Sequence, residues 1–273
     1  MCRFLAYAAP RPAAIADLVP QHLQEFIAMA RKNADGWGMG FYDGERGPCV
    51  VRSLTSAEED EQFLRFAARP LGDTGIVHLR SATPPLEVSY DNSHPFIHGD
   101  LMMAHNGAIF PQDDLDLILP SAWRGRMRGS TDSERYFLAV VAGMEEGRTP
   151  VEAIRRTVCH ILEHFNPSCL NAFLVTPETL YATSWHQEEP YPDEYYRLFT
   201  EEELATYFHL RYRLDDDGIV IASTGWGQDD WHTVSAGHVL SVERRELTLA
   251  EHDLFSERAT VIDRSVVSAA GRP

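Results

Sequence analysis

The chain has 273 residues, 44% of them hydrophobic and 24% charged, enough for a full core in one large domain or two small ones. A formal net charge of −17 repels phosphate backbones and anionic bilayers, so the expected partner is a small molecule, with no nucleic acid and no membrane. No apolar run approaches the roughly 18 residues that span a bilayer, and the opening MCRFLAYAAPRPAA is too short in apolar residues for a secretory signal.

Four cysteines, Cys2, Cys49, Cys159 and Cys169, are scattered without a C-x-x-C pair, as expected of free thiols in a reducing cytoplasm. Cys159 and Cys169 lie in apolar stretches and read as core filler. With no internal repeat and no low-complexity linker, a single domain over residues 1–273 is expected.

In chain order, residues 2–8 predict a short apolar strand that ends at Pro10, and residues 25–31 a helix. The glycine-rich stretch 35–42 runs into Asp43-Gly44, a turn signal. Residues 57–69 predict an acidic amphipathic helix, and residues 75–83 and 100–105 two buried strands that end in polar residues. Thr131-Asp132-Ser133-Glu134 is a capping box ahead of an apolar helix. Thr149-Pro150-Val151-Glu152 is a second, with proline at the first helical position and Asn166-Pro167 as the stop. The second helix carries one apolar stripe: Val151, Ile154, Val158, Ile161, Leu162 and Phe165. Short strands follow at 170–175, 179–185, 218–223, 237–242 and 246–249, while the acidic, tyrosine-rich stretch 188–217 yields no assignment. Strands, a central helical pair and more strands lack strict βαβ alternation, which points to an α+β fold with mostly antiparallel sheets.

Cys2 carries the chemistry. Once Met1 is removed, thiol and free α-amine share one residue, and an amine titrating near pH 8 can accept the thiol proton. By itself a second-position cysteine does no more than begin a strand. Here it is accompanied, in order, by NADGWGMGFY (33–42), HLRSAT (78–83), NSHPF (92–96), AHNGAI (104–109) and GSTDSE (129–134). Taken together these motifs resemble the class II glutamine amidotransferase domain, especially its standalone γ-glutamyl amidohydrolases of ergothioneine biosynthesis and thiol-peptide turnover. The resemblance is firm over about the first 140 residues and weaker over 170–185 and 221–240.

It implies a four-layer αββα sandwich of the N-terminal-nucleophile hydrolase type and no cofactor. It also implies roles. Cys2 attacks the γ-amide and forms a thioester; the Asn106 side chain and the Gly107 N–H form the oxyanion hole. Arg80 holds the substrate α-carboxylate and Asp132 the α-amine, while Gly36, Trp37, Thr83 and His94 line the substrate pocket. The chemistry agrees, since a planar guanidinium grips a carboxylate bidentately and preorganised donors stabilise an oxyanion.

Each residue has a plainer reading beside this one. Asp132 falls in the first turn of a capped helix, where the dipole favours an acid without a ligand. Arg80 has the option of an acid in the core, and Asn106-Gly107 is a common turn dipeptide. Gly36 and Gly38 suit a tight backbone, and His94 suits a structural hydrogen-bonding role better than a proton shuttle. A zinc reading of His94, His98 and His105 fails on loose spacing, with Pro95 spoiling a helical pair. Ser81 and Pro84 stand where the large biosynthetic amidotransferases carry Trp and His, so strict preference for free glutamine is not expected. Hydrolysis of a γ-glutamyl amide is the expected function. The alternatives are an ammonia-donating glutaminase subunit for a separate synthetase and a non-catalytic γ-glutamyl-binding relative, and a homo-oligomer is compatible with all three.

Overall fold

A computed structural model describes residues 2–43, 47–82, 86–188, 196–197 and 199–263. Among the described residues, fourteen strands form two seven-stranded sheets. In the first, β1 (Arg3–Ala13) is flanked by β4 (Gly72–Leu79) and β10 (Ile219–Ser223). Beyond β4 lie β2 (Trp37–Asp43) and β3 (Gly47–Ser53), and beyond β10 lie β9 (Leu210–Leu214) and β11 (His232–Thr233). The second sheet runs β5 (Phe96–His98), β6 (Leu101–Asn106), β7 (Asn171–Val175), β8 (Thr179–Ser184), β12 (His238–Glu243), β13 (Leu249–Asp253), β14 (Ala259–Ile262). The paired neighbours are antiparallel, as the order of elements predicts.

Helices cover both outer faces. Leu5, Tyr7, Trp37, Met39, Val77 and Leu79 pack outward against α1 (Ile15–Leu18), α2 (Leu23–Ala28) and α3 (Glu61–Ala67). Met103, Ala172 and Leu174 of the second sheet pack against α4 (Asp132–Glu145) and α5 (Pro150–His164). Between the sheets lie Phe4, Ala6, Ala8, Ile76, Met102, Ala104, Phe173 and Val175. The architecture is the four-layer αββα sandwich. Because β1 is covered on both faces, its first seven residues are all buried, which is why the six that follow Arg3 form a continuous apolar run rather than an alternation.

Several local expectations shift. The first strand does not stop at Pro10 but continues to Ala13, with a register break between Ala8 and Ala13 where both prolines are accommodated. The helix expected over 57–69 is confined to Glu61–Ala67, because the Asp60 side chain caps it by accepting from Gln62 N–H at 2.9 Å. The strand expected at 246–249 begins at Leu249 instead. Glu243 accepts from the N–H groups of Arg245 and Glu246 and fixes a hairpin turn there, with Leu247 at φ 50°. Thr149 and Glu152 form a complete capping box. The Thr131 box is only half made: Thr131 caps Glu134 N–H, but the buried Glu134 carboxylate turns to the N–H groups of Arg128 and Gly129, both at 2.8 Å. Cys169 is buried as expected, whereas Cys159 is exposed on α5 rather than in the core.

The unassigned acidic stretch contains a helix and a strand. The helix α6 (Glu201–Tyr207) opens with a capping box between Thr200 and Glu203, and β9 follows with Leu210, Tyr212 and Leu214 buried in alternation. No helix among the described residues is long and apolar enough to cross a membrane.

Candidate active site

Alternation along the strands builds the site at one end of the sandwich. Phe4, Ala6 and Ala8 face the space between the sheets, so Cys2, one further step along β1, shares that face. The same step from Ile76 carries His78 and Arg80 there, and from Met102 and Ala104 it carries Asn106. Phe4 and Phe173 stack with ring centres 4.2 Å apart, tying the start of β1 to β7, whose first residue Asn171 pairs with Asn106.

Cys2 is half-buried. Its sulfur accepts from the Ser81 N–H at 3.3 Å and lies 3.4 Å from the Ser81 carbonyl oxygen. Burial pushes the thiol above its usual range, opposed by the Ser81 N–H and the positive charge of Arg80 and reinforced by the negative charge of Asp132. Arg80 and Asp132 thus both act on the sulfur.

Arg80 is held by its backbone. Its N–H donates to Gly36 O at 2.8 Å, and its carbonyl accepts from Asp35 N–H at 3.1 Å. Gly36 has φ +114°, and a Cβ there would strike the Ser53 carbonyl, so only glycine supports this bridge. Arg80 Nη2 donates to Glu87 O at 2.9 Å, while the buried Nη1 has no partner. No carboxylate among the described residues lies within ion-pair distance of it, although Asp35, which accepts from Ala82 N–H at 2.7 Å, raises its pKa against burial. The core ion pair that was the plainer reading of Arg80 is therefore not formed among the described residues.

Asn106 closes β6, is only 1% exposed, and buries Oδ1 without a partner. A Cβ on Gly107 would overlap the Cys169 carbonyl oxygen, so the chain can turn here only without a side chain. That same carbonyl accepts from His105 Nε2 at 3.0 Å, which makes Nε2 the protonated nitrogen and leaves Nδ1 to accept from the Ser133 hydroxyl at 2.9 Å. Asp132, at the start of α4, accepts from Ile109 N–H at 2.9 Å and from Ser133 N–H at 2.8 Å. One chain of contacts thus links the Gly107 turn to the helix that carries Asp132.

Two expectations about the pocket change. Trp37 is 2% exposed on the outward face of β2, packed edge-on against Phe63, with its indole N–H donating to Asp60 at 3.0 Å. The period of two in β2 sends it to the helical layer, so it is a core residue and not a pocket residue. Among the described residues His94 finds no side-chain hydrogen-bond partner. Both ring nitrogens are buried and unpartnered, and the ring stacks on His78 at 4.2 Å and against Phe96 at 4.7 Å. Burial, followed by the neighbouring histidines and arginines, holds it well below the usual histidine range, so it is neutral. Thr83 lies outside the described residues. No group of three or more His, Cys, Asp or Glu among the described residues is placed to hold a metal ion.

The model of the family "Glutamine amidotransferases class-II" matches residues 1–262. The chain belongs to that family.

Among the proteins similar to this chain is the probable glutamine amidotransferase DUG3 of Saccharomyces cerevisiae, 25% identical, with 94% of this chain and 85% of that protein covered. Another is the gamma-glutamyl-hercynylcysteine sulfoxide hydrolase of Mycolicibacterium smegmatis, 27% identical over 89% of this chain and 96% of that one. A glutamine aminotransferase class-II domain protein from Silicibacter pomeroyi shares the fold, with TM-score 0.63, 20% identity, and 92% and 99% coverage. As a class II amidotransferase the chain is an amidohydrolase-type enzyme acting on a small molecule.

Of the site residues named from the sequence, the fold gathers Cys2, Arg80, Asn106, Gly107 and Asp132 at one sheet end and uses Gly36 as backbone support. The motifs contained His78, Ser81 and His105 without revealing their roles. Period two would have found His78, since it lies two residues before Arg80 on the same strand; the Ser81 N–H, a backbone group, leaves no side-chain signal.

Proposed function

We propose that this enzyme hydrolyses a γ-glutamyl amide, with Cys2 as nucleophile once Met1 has been removed. The observation that carries the reading is the Cys2 sulfur, resting on the Ser81 N–H under the influence of a buried guanidinium with an unpartnered Nη1 and of a buried carboxylate. That pair of charges matches the carboxylate and the ammonium of a glutamyl head group, read by Arg80 and Asp132. Because burial keeps the thiol protonated, a base is needed at the instant of attack, and the freed α-amine of Cys2 stands next to it.

The steps balance. Sulfur attacks the γ-carbonyl carbon as its proton passes to the α-amine. The Asn106 side-chain amide and the Gly107 N–H stabilise the oxyanion, and the C–N bond breaks as the leaving amine takes the proton from the ammonium. Water, deprotonated by the same amine, then attacks the thioester carbon; the C–S bond breaks, glutamate leaves, and the sulfur takes back the proton from the ammonium. All four cysteines are free. Together with the strongly acidic composition, this fits action in the cytoplasm on a diffusing small molecule.

The test is intact-mass analysis of the purified chain after treatment with a glutamine-analogue electrophile such as diazo-oxo-norleucine, alongside turnover of a panel of γ-glutamyl amides. The expected result is a chain lacking Met1, a single adduct on Cys2, and release of glutamate that Cys2→Ala abolishes. Retained methionine, or glutamate release that survives Cys2→Ala, overturns the reading. Cleavage of glutamine only when a synthetase is added would identify the ammonia-donating alternative.

A further inference from the structure

Beside the nucleophile stands a second buried cation that the glutamyl head group does not need. Arg3 is 5% exposed and its Nη1 donates to Tyr207 O at 3.2 Å. Its guanidinium lies 4.0 Å from the centre of the Tyr207 ring. No carboxylate among the described residues pairs with it. Its remaining N–H groups have no acceptor among the described residues, and none of them is fully shut away from solvent, unlike Arg80 Nη1. A cation this buried with no counter-ion is costly, and an anion from outside removes the cost.

Strand alternation starts Arg3 away from the face of Cys2, but it is the first residue of β1, at the open end of the sheet. From there its long side chain reaches across to Tyr207; burial lowers its pKa, opposed first by Tyr207 and then by Cys2, so the guanidinium lies within electrostatic reach of both. Tyr207 is affected by Cys2 as well. The platform is anchored: Thr224 Oγ1 donates to Thr206 O at 2.6 Å, and Asn171 Nδ2 to Phe208 O at 2.6 Å. Asn171 is the pairing partner of Asn106, so Arg3 is tied to the same sheet end as the oxyanion donors.

We propose that Arg3 is the leaving-group subsite and binds a carboxylate on the amine half of the substrate, so that the preferred substrates are γ-glutamyl-amino acids with a free α-carboxylate rather than glutamine. The proposal rests on the γ-glutamyl hydrolase reading above and specifies its amine half. In a γ-glutamyl-amino acid the second carboxylate is two bonds from the scissile nitrogen, about 4 Å from the reacting carbon by standard bond lengths. It therefore has to lie close to the nucleophile, where Arg3 is. Glutamine, whose amine half is ammonia, offers nothing to this cation. In the reaction the amide C–N bond breaks, water adds to the glutamyl carbon, and the amino acid leaves with its carboxylate unchanged.

The test compares γ-glutamyl-alanine with γ-glutamyl-alanine amide, which differ only in that carboxylate. For the wild-type enzyme kcat/KM is expected to favour the acid by about 10- to 100-fold, the range of a charge-assisted hydrogen-bonded pair. Arg3→Gln should collapse the ratio towards 1, and Arg3→Lys should keep part of it; a merely structural arginine would leave the ratio unmoved. The wild-type comparison needs no variant, so a poorly folding Arg3→Gln leaves the question decidable. Equal rates on acid and amide, or an unchanged ratio in a folded Arg3→Gln, overturn the subsite and leave γ-glutamyl hydrolysis intact. Cleavage of neither, nor of any other γ-glutamyl amide, removes both.

Discussion

The space between the two sheets changes character along its length. In the middle, Ala6, Ala8, Ile76, Met102, Ala104 and Val175 pack into one buried apolar cluster. At the Cys2 end the same strands supply His78, Arg80 and Asn106, and the unpartnered buried atoms include His78 Nε2, Arg80 Nη1, Asn106 Oδ1 and both nitrogens of His94. Backbone and alternation are shared, so the difference lies wholly in the side chains. The middle gains stability by excluding water, whereas the end gives some up by holding polar atoms in reserve. A folded chain tolerates so many unsatisfied groups in one place when a ligand completes them.

The sharpest way to break this comparison is at Asn106. If its amide is held for a developing oxyanion, Asn106→Ala lowers kcat by about 10²- to 10³-fold with KM changed far less. A purely structural asparagine would cost stability and spare kcat, which denaturation curves and steady-state kinetics separate. At Arg80, Lys keeps the charge but loses the planar fork. Arg80→Lys is expected to raise KM for a γ-glutamyl substrate by about 10- to 100-fold, and an unchanged KM would remove Arg80 from head-group binding.

Acid sharpens the contrast further. Burial lowers His78 to about 3 and holds His94 and His105 below the ordinary value of 6.5. Above pH 6.5 these rings are neutral in both folded and unfolded chains, and stability is unaffected. As pH falls through 6.5 the unfolded chain takes up protons that the folded chain refuses, so stability is lost between about 6.5 and about 3. Urea denaturation should show a loss of about 2 kcal/mol from His78 between pH 7 and pH 5, with His94 and His105 adding to it in the same direction. A flat profile would mean that these rings are charged in the fold.

The smallest effect belongs to Trp37. As a core residue of the helical layer, Trp37→Phe should cost about 1–2 kcal/mol of stability through lost packing and the lost Asp60 hydrogen bond. Its kcat/KM should remain within about threefold of wild type. A loss of activity without a loss of stability would return the indole to the pocket.

Much was legible before any coordinates. Cys2, the AHNGAI and HLRSAT motifs and the Thr149 capping box are local signals: the residue types at those spacings carry their own chemistry or hydrogen bonds. The acidic stretch was legible in part, since Thr200-x-x-Glu203 and the alternation Leu210, Tyr212, Leu214 are ordinary helix and strand signatures. They were masked by the acidic, tyrosine-rich composition around them.

The sequence by itself determined the family, through motifs whose residue types and order lie along one chain, and its periodicity gave an α+β fold with mostly antiparallel sheets; the αββα order and the expected site residues came with the family resemblance. Only the tertiary structure decided which way each residue faces and what it meets. Trp37 belongs to the helices because its strand lies in the first sheet with that face outward. His94 has no hydrogen-bond partner among the described residues because its neighbours across the fold are the His78 and Phe96 rings. Arg3 has no counter-ion among the described residues because Tyr207, more than two hundred residues away in sequence, supplies a ring and a carbonyl rather than a carboxylate. Such pairings arise between segments distant in the chain, and no local pattern encodes them.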